Sequence, residues 1–321
     1  MRRMIDHAVQ LLRAGRLVAF PTETVYGIGA DATNAGGVRR IFAAKGRPAT
    51  NPLIVHVADI ATAQKYTTGW SDAAQTLAAA WWPGPLTLVL PKHPSIVNEA
   101  TAGLSTVGLR VPDHPVALEL LRAFGGAIAA PSANRSNHLS STTADHVRQE
   151  LADKVDLILD GGSCKVGIES TVLDLTGEIP TILRPGGVSK RQIEFILGDV
   201  AEPAVIASLS ISAMSPGQQE LHYAPTTPAF RFETAQRGLI HPQTDAQPNG
   251  IVVLSPMKIF KKWGPIVAMP NDSAQYAQHL YAVLRELDAM ALRAIYIEIP
   301  PEKPEWTAIR DRIRRATVPL A

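Results

Sequence analysis

The chain has 321 residues, of which 46% are hydrophobic and 19% charged; that length favours one large domain or two ordinary ones, and the apolar fraction excludes wholesale disorder. Lys and Arg number 31 against 29 Asp and Glu, so no general basic field predicts nucleic-acid binding. Aromatic residues make up only 6%, which argues against broad base-stacking surfaces.

Ile5, Val9 and Leu12 recur at helical spacing with Asp6 and Arg13 among them. This predicts an amphipathic helix over 5–14, stopped by Gly15, in place of a secretory leader. No apolar run reaches about 18 residues, so no membrane span is expected. Cys164 is the single cysteine and can form neither an internal disulfide nor a multi-cysteine zinc site. Together these features lead us to expect a reducing, cytoplasmic setting.

Further along, apolar runs predict strands over 17–20, 53–57, 86–90, 127–130, 155–159, 171–175 and 181–183. Helical patterns fall at 38–45, 72–81, 115–124, 143–151 and 189–196. The alternation predicts an α/β domain with a twisted sheet, and the closely spaced late strands imply some antiparallel pairing. Residues 201–250 are rich in Pro, Ser, Gln and Thr. Pro216, Pro225 and Pro228 exclude a regular helix or central strand there, so this stretch reads as a linker. A β-α-β-α order follows, with strands at 251–254 and 294–299 and helices at 273–288 and 304–315. It predicts a second, smaller α/β domain. The 19 Lys and Arg before residue 209 are balanced by 19 Asp and Glu. An anion site in the first domain must therefore be built from placed residues.

Polar groups crowd several strand exits, where open α/β sheets bind ligands. The first crowd is FPTETVYGIGADATN, residues 20–34, which reads equally as a polar loop. Its Gly27-x-Gly29-x-x-Ala32 resembles a dinucleotide fingerprint, but no acidic residue lies about 20 positions on, so that reading is set aside. The second is Lys45-Gly46-Arg47-Pro48, followed by Asn51. Two cations leave a helix end on a constrained loop, either to suit the helix dipole or to clamp phosphate. His56 interrupts an apolar strand and is either a core residue or a ligand. Arg110, among apolar neighbours in STVGLRVP, needs a carboxylate or phosphate partner from the protein or a ligand. In AAPSANRSNHLSS, Ser132, Asn134 and Ser140 combine small bulk with hydrogen-bonding groups. Ser170 precedes the strand VLDL, and Arg184 precedes a glycine turn. No Ser/His/Asp elbow, HExxH motif or zinc set is present. The Arg310, Arg312, Arg314 and Arg315 cluster reads as a solvated helix face in preference to an RNA contact.

In combination, PTETVYGIGAD, KGRP with NPLIVHV, PGPLTLVL, VGLRVP, PSANRSN, ESTVLDL and ILRPGGVS resemble the YrdC-type threonylcarbamoyl-AMP synthases, in that family's order. SPGQQELHYAP resembles the linker of the family's long form. The resemblance implies a YrdC-like twisted mixed sheet over 1–205, a Pro-containing linker or lid over 206–230, and a smaller Rossmann-like α/β domain over 231–321. It implies synthesis of L-threonylcarbamoyl-AMP from L-threonine, bicarbonate or CO2 and ATP, with pyrophosphate released. The product would pass to a tRNA threonylcarbamoyl transferase complex, and direct tRNA binding stays open. By the same resemblance, Thr24, His56, Arg110 and Ser170 hold threonine. Lys45, Arg47, Asn51, Thr106, Ser132, Ser140, Arg184 and Tyr223 hold ATP. Asn134 serves nucleotide or bicarbonate, Lys45, Arg47, Ser132 and Asn134 form the catalytic set, and Mg2+ arrives with the ATP. Two alternatives are an RNA-binding module and a domain related to the hydrogenase-maturation carbamoyltransferases. Against the second stand the single cysteine and the short chain, since those proteins carry cysteine-rich zinc fingers.

Overall fold

In a computed structural model, residues 2–202, 222–240, 248–254 and 264–320 are described. Residues 206–221 of the expected linker lie outside them. The chain forms two compact units. One comprises Met1–Ser136, Ser141–Lys165 and Glu169–Gln218; the other comprises Asn137–Ser140, Val166–Ile168 and Gln219–Ala321.

The first unit begins with α1 (Arg2–Arg13), which buries Ile5, Ala8, Val9 and Leu12 as the spacing requires. There follow β1 (Val18–Phe20), β2 (Gly27–Asp31), α2 (Ala35–Lys45), β3 (Ile54–His56), α3 (Ile60–Gln64), α4 (Asp72–Trp81), β4 (Leu86–Pro91) and α5 (Asn98–Thr101). Next come β5 (Thr106–Arg110), α6 (Pro115–Phe124), β6 (Ile128–Ala129), α7 (Ala144–Leu151), β7 (Leu157–Ile158), β8 (Thr171–Asp174), β9 (Thr181–Arg184) and α8 (Lys190–Leu197). The described strands form a mixed sheet in the order β7-β1-β2-β6-β3-β5-β4-β8-β9. β3 with β5, β4 with β8 and β1 with β7 run parallel; the other neighbours are antiparallel.

Period-two alternation divides the core between the two sheet faces. Val18, Phe20 and Ile128 join residues of α1 and α6 in one cluster. Ala19, Ile28, Val55, Leu88 and Leu109 join residues of α2, α4, α7 and α8 in the other.

β2 and β5 correct the sequence reading, which leaves residues 27–31 and 106–110 outside any strand. Gly29 shows why 27–31 is a strand and not a phosphate loop. A Cβ there would lie 2.7 Å from Ile128 Cγ2 and 2.8 Å from Phe20 Cε1. The glycine lets neighbouring side chains cross the strand closely, a packing role.

The second unit contains β10 (Ala229–Phe232), β11 (Gly250–Val253), β12 (Ile266–Ala268), α9 (Ser273–Asp288), β13 (Ile295–Glu298), α10 (Thr307–Ala316) and β14 (Val318–Pro319). Its sheet is parallel throughout, in the order β12-β11-β13-β10-β14. The expected β-α-β-α order is present, with β10, β12 and β14 added. The arginine cluster is corrected in part: Arg310 and Arg312 are buried, whereas Arg314 is exposed and Arg315 partly so. Arg310 donates to the Pro300 carbonyl, and Arg312 pairs with Asp311. Polar partners inside the unit, not solvent, satisfy these two guanidinium groups.

Candidate active site

Within the first unit, strand exits and one helix end gather most of the predicted residues. At the exit of β1, Thr22 Oγ1 donates to the Val25 carbonyl at 2.6 Å and meets Thr24 Oγ1 at 2.8 Å. The hydroxyl thus holds a tight turn in which Thr24 is fully buried.

His56 ends β3 and stands in register with Arg110 at the end of the parallel strand β5. Both are buried. Phe20 meets the His56 ring edge-on at 6.0 Å. The His56 Nδ1 atom is buried without a hydrogen-bond partner. Burial first, and the Arg110 charge second, push the imidazole pKa down to about 3. The ring is therefore neutral at any physiological pH.

Arg110 Nε donates to the Gly84 carbonyl at 3.2 Å, and its Nη2 lies 2.7 Å from Glu23 Oε1. Neither of these last two atoms has an aligned hydrogen bond, so their attraction is mainly Coulombic. Glu23 Oε2 accepts from the Asp113 backbone N–H at 3.0 Å.

α2 delivers the KxR segment. Its C-cap, Gly46, adopts φ 61°, the left-handed turn that glycine accepts at no steric cost. Lys45 is buried at that end. Its Nζ donates to the Ser132 carbonyl at 2.5 Å and to the Asn134 carbonyl, and its own carbonyl accepts from Ser136 N. Lys45 thus shapes the PSANRS loop. Burial, aided by nearby Arg47, lowers its pKa well below the ordinary lysine value. Arg47 Nη2 donates to the Pro52 carbonyl at 3.3 Å. Asn51 follows on the same loop, partly exposed, and Thr106 opens β5, also partly exposed.

On the far strands, Arg184 at the end of β9 donates from Nε (3.1 Å) and Nη2 (2.9 Å) to the Ser170 carbonyl. Nη2 also donates to Ser170 Oγ at 3.1 Å. That hydroxyl meets Thr87 Oγ1 of β4 at 2.8 Å. Gly186 makes this possible, since a Cβ there would lie 2.3 Å from Ser170 C and Thr171 N. Ser140 and Tyr223 belong to the second unit. The sequence reading assigns no role to Glu23, Thr87, Gly84 or Gly186. Glu23 had a signal: it is the sole acid in PTETVYG, and Arg110 required a carboxylate or phosphate partner.

Two family models divide the chain between them. The Sua5-YciO-YrdC model, described as telomere recombination, matches residues 10–186. The model of the threonylcarbamoyl-AMP synthase C-terminal domain matches residues 188–318. The chain belongs to the threonylcarbamoyl-AMP synthase family. The threonylcarbamoyl-AMP synthase of Bacillus subtilis is 41% identical over 319 residues, covering 97% of this chain and 92% of the relative. That of Pyrococcus abyssi is 38% identical over 321 residues, covering 97% and 93%. The crystal structure of Pyrococcus abyssi Sua5 complexed with L-threonine matches with TM-score 0.88 and 36% identity, covering 99% of this chain and 96% of that one. The family's architecture is therefore shared across both units, and the mixed sheet followed by a smaller α/β unit is the fold expected from the motifs.

Proposed function

We propose that this chain synthesises L-threonylcarbamoyl-AMP from L-threonine, bicarbonate or CO2, and ATP, releasing pyrophosphate. This is the first step of threonylcarbamoyladenosine formation in tRNA. The carrying observation is the full-length relationship to named synthases, 41% identical over 97% of the chain. The threonine amine, as the neutral –NH2, adds to the carbon of CO2 and gives up one proton to solvent, leaving an N–H carbamate. A carbamate oxygen then attacks the α-phosphorus of ATP, and the bond to the β-phosphate oxygen breaks. Such a sequence needs placement and charge neutralisation more than covalent help from the protein.

The assignment puts the threonine carboxylate on Arg110, whose fork suits it. Neutral His56, Thr24 and Ser170 receive the remaining polar groups of the amino acid. The unpaired Nδ1 of His56 supports this reading, because a buried polar atom without a partner favours a ligand that supplies one. Arg47, Arg184, Asn51, Thr106, Ser132, Ser140 and Tyr223 are assigned to ATP. Two of the three donors of a protonated Lys45 hold the Ser132 and Asn134 carbonyls, which leaves one for phosphate. Asn134 is assigned to nucleotide or bicarbonate. The nucleotide enters as its Mg2+ complex, and the product passes to a tRNA threonylcarbamoyl transferase complex. Among the described residues no helix is long and apolar enough to cross a membrane, and we place the reaction in the cytoplasm.

The test is pyrophosphate release from ATP that requires both threonine and bicarbonate. Salt-dependent RNA binding without that release would replace the synthase by an RNA-binding module. Within the assignment, Lys45→Ala and Arg47→Ala each cripple ATP use in a folded protein. Full activity in both would overturn the phosphate roles.

A further inference from the structure

The second unit has no chemistry of its own in the proposed reaction, yet it contains two residues assigned to ATP. Ser140 lies in the segment Asn137–Ser140, which belongs to this unit. Arg285 of α9 donates from Nε to the Ser140 carbonyl at 3.3 Å and from Nη2 to the Leu139 carbonyl. One guanidinium thus holds two successive carbonyls. The same segment is tied on its other side: Ala224 N donates to the Asn137 carbonyl at 2.9 Å, and His138 bridges Ala224 in parallel.

Tyr223 is held as closely. It is buried, with φ +60°, in the left-handed region that a non-glycine residue occupies only under constraint. The Arg312 guanidinium carbon sits 5.2 Å from its ring centroid. Tyr281 of α9 lies 6.2 Å away, inclined at 34°. His222 N donates to the Arg315 carbonyl at 2.9 Å. Asp311 balances the cations, pairing with Arg312 and accepting from Arg315 Nε at 2.9 and 3.0 Å. A desolvated arginine over a tyrosine face is an attractive contact.

We propose that Arg285 and Arg312 are positioning residues for the nucleotide, Arg285 acting through the Leu139–Ser140 carbonyls and Arg312 through the Tyr223 ring. Within the second unit, Ser140 and Tyr223 are then each held in one orientation. This rests on the assignment of those two residues to ATP.

The experiment uses the full chain and follows pyrophosphate release at varied ATP and varied threonine. Arg285→Ala and Arg312→Gln are compared with Ser140→Ala and Tyr223→Ala. Arg285 is partly exposed and its variant should fold; Arg312 is fully buried, so Arg312→Lys accompanies it as the conservative change. The expected result is a rise of about tenfold in KM for ATP in each alanine or glutamine variant, the worth of one such contact, with KM for threonine within about twofold of wild type. Arg285→Lys should recover part of the loss. Arg312→Gln combined with Tyr223→Ala should be no worse than Tyr223→Ala alone. If Ser140→Ala and Tyr223→Ala raise KM for ATP while the arginine variants do not, the positioning role is wrong and the ATP assignment stands. If none of the four variants moves KM for ATP in an active enzyme, the ATP assignment fails and takes the positioning role with it. A wild type without threonine-dependent release would overturn the synthase reading itself.

Discussion

Glu23 and Arg110 meet at 2.7 Å with both side chains only 4% exposed. A buried arginine stripped of its carboxylate is left as an uncompensated charge, which costs about 3–5 kcal/mol. Glu23→Ala should therefore lower the free energy of unfolding in urea by that amount. Replacing both residues together by apolar ones of similar volume should cost much less. Equal losses in the single and double variants would show that the pair does not carry the effect.

His56 gives the protein a pH dependence of known sign. Its folded-state pKa of about 3 lies below the ordinary value of 6.5. As pH falls, the unfolded chain takes up the proton first. The stability contribution is thus complete above about pH 6.5 and declines toward pH 3, by about 1.4 kcal/mol per pH unit. His114, whose pKa is also lowered by burial, contributes in the same direction. The comparison that isolates His56 is wild type against His56→Asn: the variant should show the shallower decline in denaturation curves taken across that range.

Lys45 should register nucleotide binding as a proton. Burial lowers its pKa well below 10.5, whereas a bound polyphosphate favours the charged ammonium. Titration calorimetry in buffers of different ionisation heat should show net proton uptake on ATP binding at any pH where Lys45 is neutral in the free protein. Lys45→Arg stays charged throughout, so it should bind without that uptake. Identical uptake in the two proteins would remove Lys45 from the nucleotide site.

Gly186 is a fourth point of control. A Cβ there would fall 2.4 Å from the Glu169 carbonyl oxygen and 2.3 Å from Ser170 C, backbone that cannot step aside. Gly186→Ala should destabilise by about 1–3 kcal/mol through overpacking. It should also displace Arg184 from Ser170. Loss of one charge-assisted bond of about 1.5 kcal/mol corresponds to about tenfold in turnover. Unchanged kinetics with a lowered Tm would confine Gly186 to packing.

Much of this architecture was legible because period and punctuation are local. Ile5, Val9 and Leu12 define the buried stripe of α1, and Gly46 ends α2 in the turn that its residue type permits. β2 was not legible. GIGAD carries few large apolar residues, and its place in the sheet depends on Phe20 and Ile128 crossing over Gly29. The burial of Arg312 was equally hidden, because its companion Tyr223 lies far away in sequence.

The sequence by itself determined the alternation of elements, the balanced charge, the strand-exit motifs and, through their order, the family. Those properties reside in residue types and short spacings. Tertiary structure alone decided the partners: Glu23 for Arg110, the Ser132 and Asn134 carbonyls for Lys45, and Ser170 for Arg184. Each joins residues 14 to 89 positions apart. Which charge meets which at that range depends on sheet order and register, and those emerge only when the whole unit packs.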